Sequence, residues 1–372
     1  SKVAKLKRPE LDPTLAKAAE LFAAFRNGQE SKPRQYLGCS GIGHDCGRKL
    51  WLTLRATKGE PIEAKGWSAI DDGHRGEDII VERLQRVPGL EFHAVDANGQ
   101  QFAVEACNGH VRGHLDGAVR GLLQAPKTWH VFEAKVCNVK KFEKLIKLAH
   151  DEGEKNALEQ WDPIYYAQAQ MYMGLTGMDR HWLVCATPGV RDWFSVRTEF
   201  DKAFFGNLIN HADSIIEADE PPPKWSDDPA NWICKWCDFS KYCHGKKIPP
   251  PNCRNCMHST PATSVLDGVP LWTCEKFGKE ATDPCEHHVY IPQLVPYAEV
   301  KDMDAGKNVV EYELEDGRTF KNGTRTPHST IYTSEELCET EPALIQDATV
   351  DTLRVEFGAT IDWEGQGDDI PF

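Results

Sequence analysis

The chain has 372 residues, 40% of them hydrophobic and 27% charged, and a formal net charge of −14, which suits one large core with smaller attachments rather than two equal halves. No apolar run approaches the length needed to cross a bilayer and no secretion-signal pattern opens the chain, so a soluble, intracellular protein with no membrane partner is expected. Thirteen cysteines bunched in close pairs within so large a chain point to metal ligation rather than to a disulfide framework. The acidity would argue against phosphate binding if it were spread evenly. Residues 296–372, however, hold 18 acidic and 6 basic side chains, so −12 of the net charge lies there and residues 1–295 are close to neutral.

In chain order, a basic arm with Lys2, Lys5, Lys7 and Arg8 precedes Asp12-Pro13, a helix start, and a helix with Leu15, Ala18, Ala19, Leu21 and Phe22 at helical spacing. A glycine-rich loop from Gly38 to Gly47 leads to a helix through Leu50, Trp51 and Leu54, and a third helix is predicted from about Glu77 to Arg86. The segments Phe102 to Val104, Val111 to Val119 and Trp129 to Val136 are short and β-branched, with glycine or turn residues between them, and read as a strand meander. A basic helix with Lys140, Lys141, Lys144 and Lys147 follows, then a long helix from Asn156 to about Leu175. Strands at His181 to Ala186 and Trp193 to Glu199 and a helix at Asp201 to Ala218 complete a mixed order that predicts an α/β or α+β fold with a central sheet. Beyond the Pro-rich boundary at Glu217 to Pro223 lies a cysteine-rich stretch, Cys234 to Cys285. The remaining tail has weak periodicity, a candidate hairpin at Glu311 to Phe320 around Asp316-Gly317, and a last dozen residues expected to be disordered. No G-x4-G-K-[ST] loop occurs, which excludes an ATP-driven helicase on this chain alone.

Asp116 falls in Gly113-His114-Leu115-Asp116-Gly117, within one predicted strand, and Glu133-Ala134-Lys135 in the next. Glu133 and Lys135 alternate onto one strand face, and pairing of neighbouring strands brings Asp116 beside them. Two carboxylates and an ammonium in one cleft suit phosphodiester hydrolysis: carboxylates hold Mg2+ or Mn2+, and the lysine stabilises charge or helps deprotonate water. Gly73-His74-Arg75-Gly76-Glu77 at a helix start lies upstream, and Gln168-Ala169-Gln170-Met171-Tyr172 inside a helix lies downstream. The order G-x3-E, G-x-x-D-G, E-x-K, Q-x3-Y resembles the RecB-type exonuclease branch of the PD-(D/E)xK nuclease superfamily.

That resemblance implies an α/β, restriction-endonuclease-like core with a central mixed sheet flanked by helices. It implies Glu77, Asp116, Glu133 and the Ala134 carbonyl as ligands of Mg2+ or Mn2+, and Lys135 as the catalytic lysine. Gln168 and Tyr172, sharing a helix face, would orient that lysine and contact DNA. Many members carry histidine where Glu77 stands, so His74 competes for the role; a carboxylate suits Mg2+ better. With such a cleft postulated, Lys140, Lys141, Lys144 and Lys147 become a phosphate track; without it they are a solvated helix face.

Cys46, followed by Arg48-Lys49-Leu50-Trp51, and the distant Cys234-x2-Cys237-x5-Cys243 resemble the iron-sulfur nucleases, including CRISPR adaptation exonucleases and the nuclease domain of AddB-type helicase-nucleases. The resemblance implies a 4Fe-4S cluster that clips both ends of the nuclease domain together. Soft thiolates suit such a cluster; zinc is the alternative, because spacing does not separate the metals, and Cys39 is the rival fourth ligand. A second set, Cys253-x2-Cys256, Cys274 and Cys285, with His258, His287 and His288 nearby, reads as a structural Zn2+ module, a histidine in place of Cys285 being the alternative. Cys107, Cys137, Cys185 and Cys338 lie outside both sets and are expected as small core hydrophobes.

The last residues, Asp368-Asp369-Ile370-Pro371-Phe372, resemble the acidic tip of bacterial single-stranded DNA-binding protein (SSB), implying docking on SSB-interacting repair proteins. A solubilising tail or a flap over the chain's own DNA channel is the other reading. The expected layout is a basic arm and helix at 1–35, a nuclease core with its cysteine clasp at 36–246, a zinc module at 247–295 and an acidic region at 296–372. The family implies a DNA exonuclease of recombination or repair in a bacterial or phage-infected cytoplasm, with a recombinase or annealing protein as a further partner. A structure-specific endonuclease and a non-catalytic DNA-binding protein with a nuclease fold are the alternatives.

Overall fold

The computed structural model describes residues 12–29, 34–266, 268–304, 306–326, 328–359 and 361. The basic arm through Arg8 and the tip from Asp368 to Phe372 lie outside these residues. Helix α1 (Pro13–Gly28) starts under Asp12, whose carboxylate accepts the Thr14 and Leu15 N–H groups, satisfying donors that a first turn leaves open. After β1 (Leu37–Gly38) and the glycine-rich loop, α2 (Gly47–Leu54) buries Leu50, Trp51, Leu52 and Leu54. Helix α3 (Ala64–Leu84) starts well before the expected Glu77, so the Gly73-to-Glu77 motif lies in mid-helix. Gly66, Gly73 and Gly76 weaken the helical signal of that stretch, and tertiary contact supplies what propensity lacks. Gly76 lies so close to the following sheet that a Cβ there would sit 2.4 Å from Val136 Cγ2.

The strands β2 (Glu91–His93), β3 (Ala103–Ala106), β4 (Val111–His114), β5 (Gly117–Arg120) and β6 (His130–Val136) come next. The strand expected from Val111 to Val119 is broken at Leu115-Asp116, and its halves join different sheets: β4 enters a three-stranded sheet ordered β1-β4-β3, and β5 enters the main sheet. Helices α4 (Val139–Asp151), α5 (Glu154–Trp161) and α6 (Pro163–Thr176) follow. The long helix expected from Asn156 is therefore two, because Pro163 cannot continue a helix that already runs through Trp161. Asp162 caps the second, accepting from Ile164 and Tyr165 N–H. Strands β7 (Arg180–Ala186) and β8 (Trp193–Glu199) complete a five-stranded sheet ordered β2-β5-β6-β7-β8, and α7 (Lys202–Ile216) packs against α6. Only β6 and β7 pair in parallel within that sheet, making it a mixed α/β architecture.

The cysteine-rich stretch contains α8 (Trp232–Lys235), α9 (Ser240–Cys243) and a small antiparallel sheet of β9 (Ser259–Thr263), β10 (Pro270–Cys274) and β11 (Lys279–Glu280). Its apolar residues join the main core: Trp272, Val289 and Tyr290 belong to one buried cluster with Trp51 and Tyr172. Arg55, 1% exposed, donates to the Arg254 and Ser259 carbonyls and lies 4.7 Å from the Trp272 ring.

The C-terminal region is more ordered than its weak periodicity predicts. The hairpin around Asp316-Gly317 is present as β13 (Val309–Leu314) and β14 (Thr319–Gly323), and β12 (Ala298–Asp304) adds a strand the sequence did not signal. Tyr312 and Phe320 stack at 5.1 Å beneath that sheet. Helices α10 (Ser334–Glu339) and α11 (Ala348–Glu356) are tied together by buried Glu336, which pairs with Arg325 at 2.6 Å and Arg354 at 3.1 Å. No helix among the described residues is long and apolar enough to cross a membrane.

Candidate active site

Glu133 and Lys135 lie on β6, at the centre of the main sheet, and point to one side of it as strand alternation requires. Asp116 occupies the link between β4 and β5, where the change of sheet turns its carboxylate onto β6. Its Oδ2 accepts the Ala134 N–H at 2.9 Å. Glu77 comes from α3, held against β6 by the bare backbone of Gly76. All three carboxylates surround one ammonium. Lys135 Nζ is 3.9 Å from Glu77 and 4.0 Å from Asp116, hydrogen-bonds Glu133, and donates to the Ala134 carbonyl at 2.9 Å.

Burial pushes the Glu133 carboxyl up to about 7, even against the pull of Lys135. Burial also raises Glu77, with Lys135 opposing and Asp116 adding to the shift. Burial alone would drive Lys135 down, but Glu133, Asp116 and Glu77 together hold it well above the ordinary lysine range. Lys135 thus stands as a hydrogen-bond donor to Glu133 and to the Ala134 carbonyl.

From α6, Gln168 Nε2 donates to Glu133 Oε1 at 2.9 Å and to the Tyr172 hydroxyl at 3.3 Å. Gln168 thus holds the glutamate rather than the lysine. Tyr172, 3% exposed, donates to the His114 carbonyl at 2.8 Å and so fixes the strand that leads to Asp116. Gly113 makes this approach possible, because a Cβ there would stand 2.5 Å from Tyr172 Cε1 and 2.8 Å from Cys39 Sγ. Sequence reasoning missed Tyr165, whose ring lies 5.6 Å from Lys135 Nζ and 4.8 Å from Lys141 Nζ. Its position three before Gln168, on the same helix face, is the signal that would have found it.

Among the described residues, no three or more His, Cys, Asp or Glu side chains stand grouped as they would be to hold a metal ion, neither the carboxylates here nor the two cysteine sets. The donor chemistry nonetheless fits a divalent cation. Three carboxyl groups face one ammonium, and Glu133 Oε2 is buried without a hydrogen-bond partner among the described residues. A buried, unpaired carboxylate oxygen is costly unless a cation meets it. His74, the rival to Glu77, is exposed one turn away.

Of the lysines on α4, Lys141 is paired with Asp162 at 2.6 Å and Lys147 with Asp151. Lys144 reaches the Gln160 and Trp161 carbonyls at 3.4 Å, and Lys140 is exposed.

Cys46, Cys234, Cys237 and Cys243 line one cavity with Arg48, Lys49 and Lys224. Burial raises the Cys243 thiol, Arg48 opposes the shift, and Cys237 and Cys46 add to it. Cys39, the rival ligand, is fully buried beside Gly113 instead. Cys253, Cys256, Cys274 and Cys285 line a second cavity. There burial pushes Cys253 up to about 11, with Cys256, Cys285 and Cys274 adding to the shift. His258, His287 and His288 line the same cavity, and one ring nitrogen of each is hydrogen-bonded, to Asn308, Thr324 and Asn255 respectively. Cys137 and Cys185, expected without partners, have their sulfurs 3.3 Å apart.

No family model matches this chain, and no curated protein does. Among solved structures, the chain is similar to SSO0001, at 16% identity and a TM-score of 0.33, over 62% of this chain and 97% of that one. It is also similar to an alkaline exonuclease from Laribacter hongkongensis, at 18% identity and a TM-score of 0.34, over 53% and 90%. A phage-related exonuclease from Haemophilus somnus 129PT is similar at 12% identity and a TM-score of 0.29, over 55% and 82%.

Proposed function

We propose that this chain is a metal-dependent DNA nuclease that hydrolyses phosphodiester bonds at DNA ends, in recombination or repair. The observation that supports this reading most is the convergence of Glu77, Asp116 and Glu133, from three separate elements, on the Lys135 ammonium. Glu77, Asp116, Glu133 and the Ala134 carbonyl would hold Mg2+ or Mn2+, hard cations that take oxygen ligands. When bound, such an ion polarises the phosphate and lowers the pKa of water.

The chain's own groups account for the rest. Lys135, kept protonated by its neighbours, faces the phosphate with a positive charge and offsets the negative charge that grows during displacement. Gln168 fixes the Glu133 carboxylate through its amide, and Tyr172 fixes the β4 end that positions Asp116. Lys140 and Lys144 on α4 would meet the backbone of a bound strand, whereas Lys141 and Lys147 would first have to leave their acidic partners.

In the same reading, the Cys46, Cys234, Cys237 and Cys243 cavity holds a 4Fe-4S cluster with a structural role, and Cys253, Cys256, Cys274 and Cys285 hold Zn2+. The tip Asp368 to Phe372 docks on SSB-interacting repair proteins. Removing residues 370–372 is expected to weaken that binding and to leave hydrolysis unchanged.

The test of the function is protein purified anaerobically, checked for cluster absorbance, and given Mg2+ with end-labelled linear DNA or a closed circle. Loss of the linear substrate with the circle intact is expected. Cutting of the circle would make the chain an endonuclease, and failure to cut either would remove the nuclease reading.

A further inference from the structure

Cys185 is registered opposite Lys135 across the parallel β6–β7 pair. Cys137 follows β6 two residues after Lys135, its N–H donating to the Ala186 carbonyl at 2.9 Å. Alternation places Cys137 on the sheet face that carries Glu133 and Lys135. The two sulfurs are 3.3 Å apart, against roughly 2.05 Å in a disulfide, and because Cys185 is registered two residues back from Cys137, joining them draws the ends of the two strands together. Their environments differ: Cys185 is fully buried and Cys137 is half-buried. The hydrogen bond from Cys185 draws the Cys137 thiol below its usual range, with burial opposing and Lys141 adding to the pull. A half-buried sulfur backed by a buried second sulfur is an arrangement in which a first oxidation is resolved to a disulfide.

We propose that Cys137 and Cys185 are a peroxide-oxidisable dithiol whose closure to a disulfide disables the adjoining site. The Cys137 thiolate attacks hydrogen peroxide, releasing hydroxide and leaving a sulfenic acid on Cys137. The Cys185 sulfur attacks that sulfur, the S–S bond forms, and the sulfenic oxygen leaves as water with the thiol proton. In sum, the two thiols lose two electrons and two protons, and one peroxide becomes two waters; a dithiol reductant reverses the change. Closure displaces the chain between Lys135 and Asn138, the residue whose side chain caps α4 through Lys141 N–H. It therefore shifts both the Lys135 ammonium and the lysine-bearing helix.

The effect on activity rests on the nuclease reading; the chemistry of the pair does not. The reduced full-length protein is exposed to a small excess of hydrogen peroxide, alkylated, digested and analysed by mass spectrometry, with Mg2+-dependent DNA hydrolysis followed in parallel. The expected result is a peptide pair joined through Cys137 and Cys185, and a fall in hydrolysis of about tenfold or more, restored by dithiothreitol. Cys137→Ser and Cys137→Ala, checked for fold by circular dichroism, keep their activity in peroxide. Because these variants retain every other cysteine, oxidation of a cluster elsewhere would inactivate them along with the parent.

Full alkylation of both thiols after peroxide, a crosslink with unchanged hydrolysis, or equal peroxide sensitivity in the variants would overturn the proposal. A crosslink formed in protein that never cuts DNA would support the dithiol and remove the nuclease reading instead.

Discussion

At the scale of single residues, Glu133 has the most to say about metal. Its carboxyl is pushed up to about 7 by burial, so below that pH it holds a proton that an incoming cation must displace. Mg2+ affinity is expected to rise about tenfold per pH unit up to about 7 and to level off above it, read by calorimetric titration across that range. Glu133→Gln is expected to bind weakly and without this slope; a flat profile in the parent would show that Glu133 is not a ligand. Gly113 makes a different kind of claim. Its replacement by alanine forces a methyl group against Tyr172 and Cys39 and is expected to cost about 1–3 kcal/mol, seen as a lower denaturant midpoint. An unchanged midpoint would mean that β4 has room to shift. The catalytic candidates were legible in the sequence because E-x-K and G-x-x-D-G are local patterns. The roles of Gln168 and Tyr172 were not, since their partners, Glu133 and the His114 carbonyl, lie on other elements and no periodicity names them. The Cys137 and Cys185 pair escaped notice for the same reason: it exists only through the register of β6 with β7.

At the scale of elements, sequence reading succeeded where hydrophobic period and punctuation agreed. Helices α1, α2 and α7 and strands β6, β7 and β8 lie close to their expected places. It failed where tertiary contact overrode local preference. Glycines hid the first half of α3, whose order depends on close packing against Val136 and on the Arg26–Asp71 pair at 2.9 Å with α1. The valines at both ends of Val111 to Val119 suggested one strand and concealed the break at Leu115-Asp116, which places the acid at the junction of two sheets. In the C-terminal region, Glu336 was one acid among many until the fold buried it with Arg325 and Arg354. Glu336→Ala takes from Arg325 its carboxylate and leaves buried Arg354 with Asp351 alone, and is expected to destabilise that region by about 3–5 kcal/mol. Limited proteolysis is expected to cut near α10 and α11 first, with hydrolysis by the remaining folded protein unaffected. Proteolysis at the parent's rate would show that this ion pair does not hold the region.

At the scale of the whole molecule, the cysteine-rich stretch is joined to the core on which the candidate site stands. Trp272 and Tyr290 share a buried cluster with Trp51, and Arg55 reaches across from α2 to the Arg254 and Ser259 carbonyls. Cys46 and Cys234, 188 positions apart in sequence, line one cavity. A metal clip there would restrict the unfolded chain by about 5 kcal/mol. On the proposed cluster, Cys243→Ser is expected to lower the melting temperature and the iron content together, whereas a loss of iron without loss of stability would make the clip dispensable. On the proposed reading, Glu77, Asp116, Glu133 and Lys135 form a metal-dependent site that hydrolyses DNA. Its most direct test compares Mg2+-dependent release of nucleotides from end-labelled linear duplex by the parent protein, Glu133→Ala and Lys135→Ala, all shown to be folded. The account predicts hydrolysis by the parent and a loss of about a hundredfold or more in each variant; variants that cut as fast as the parent would contradict it.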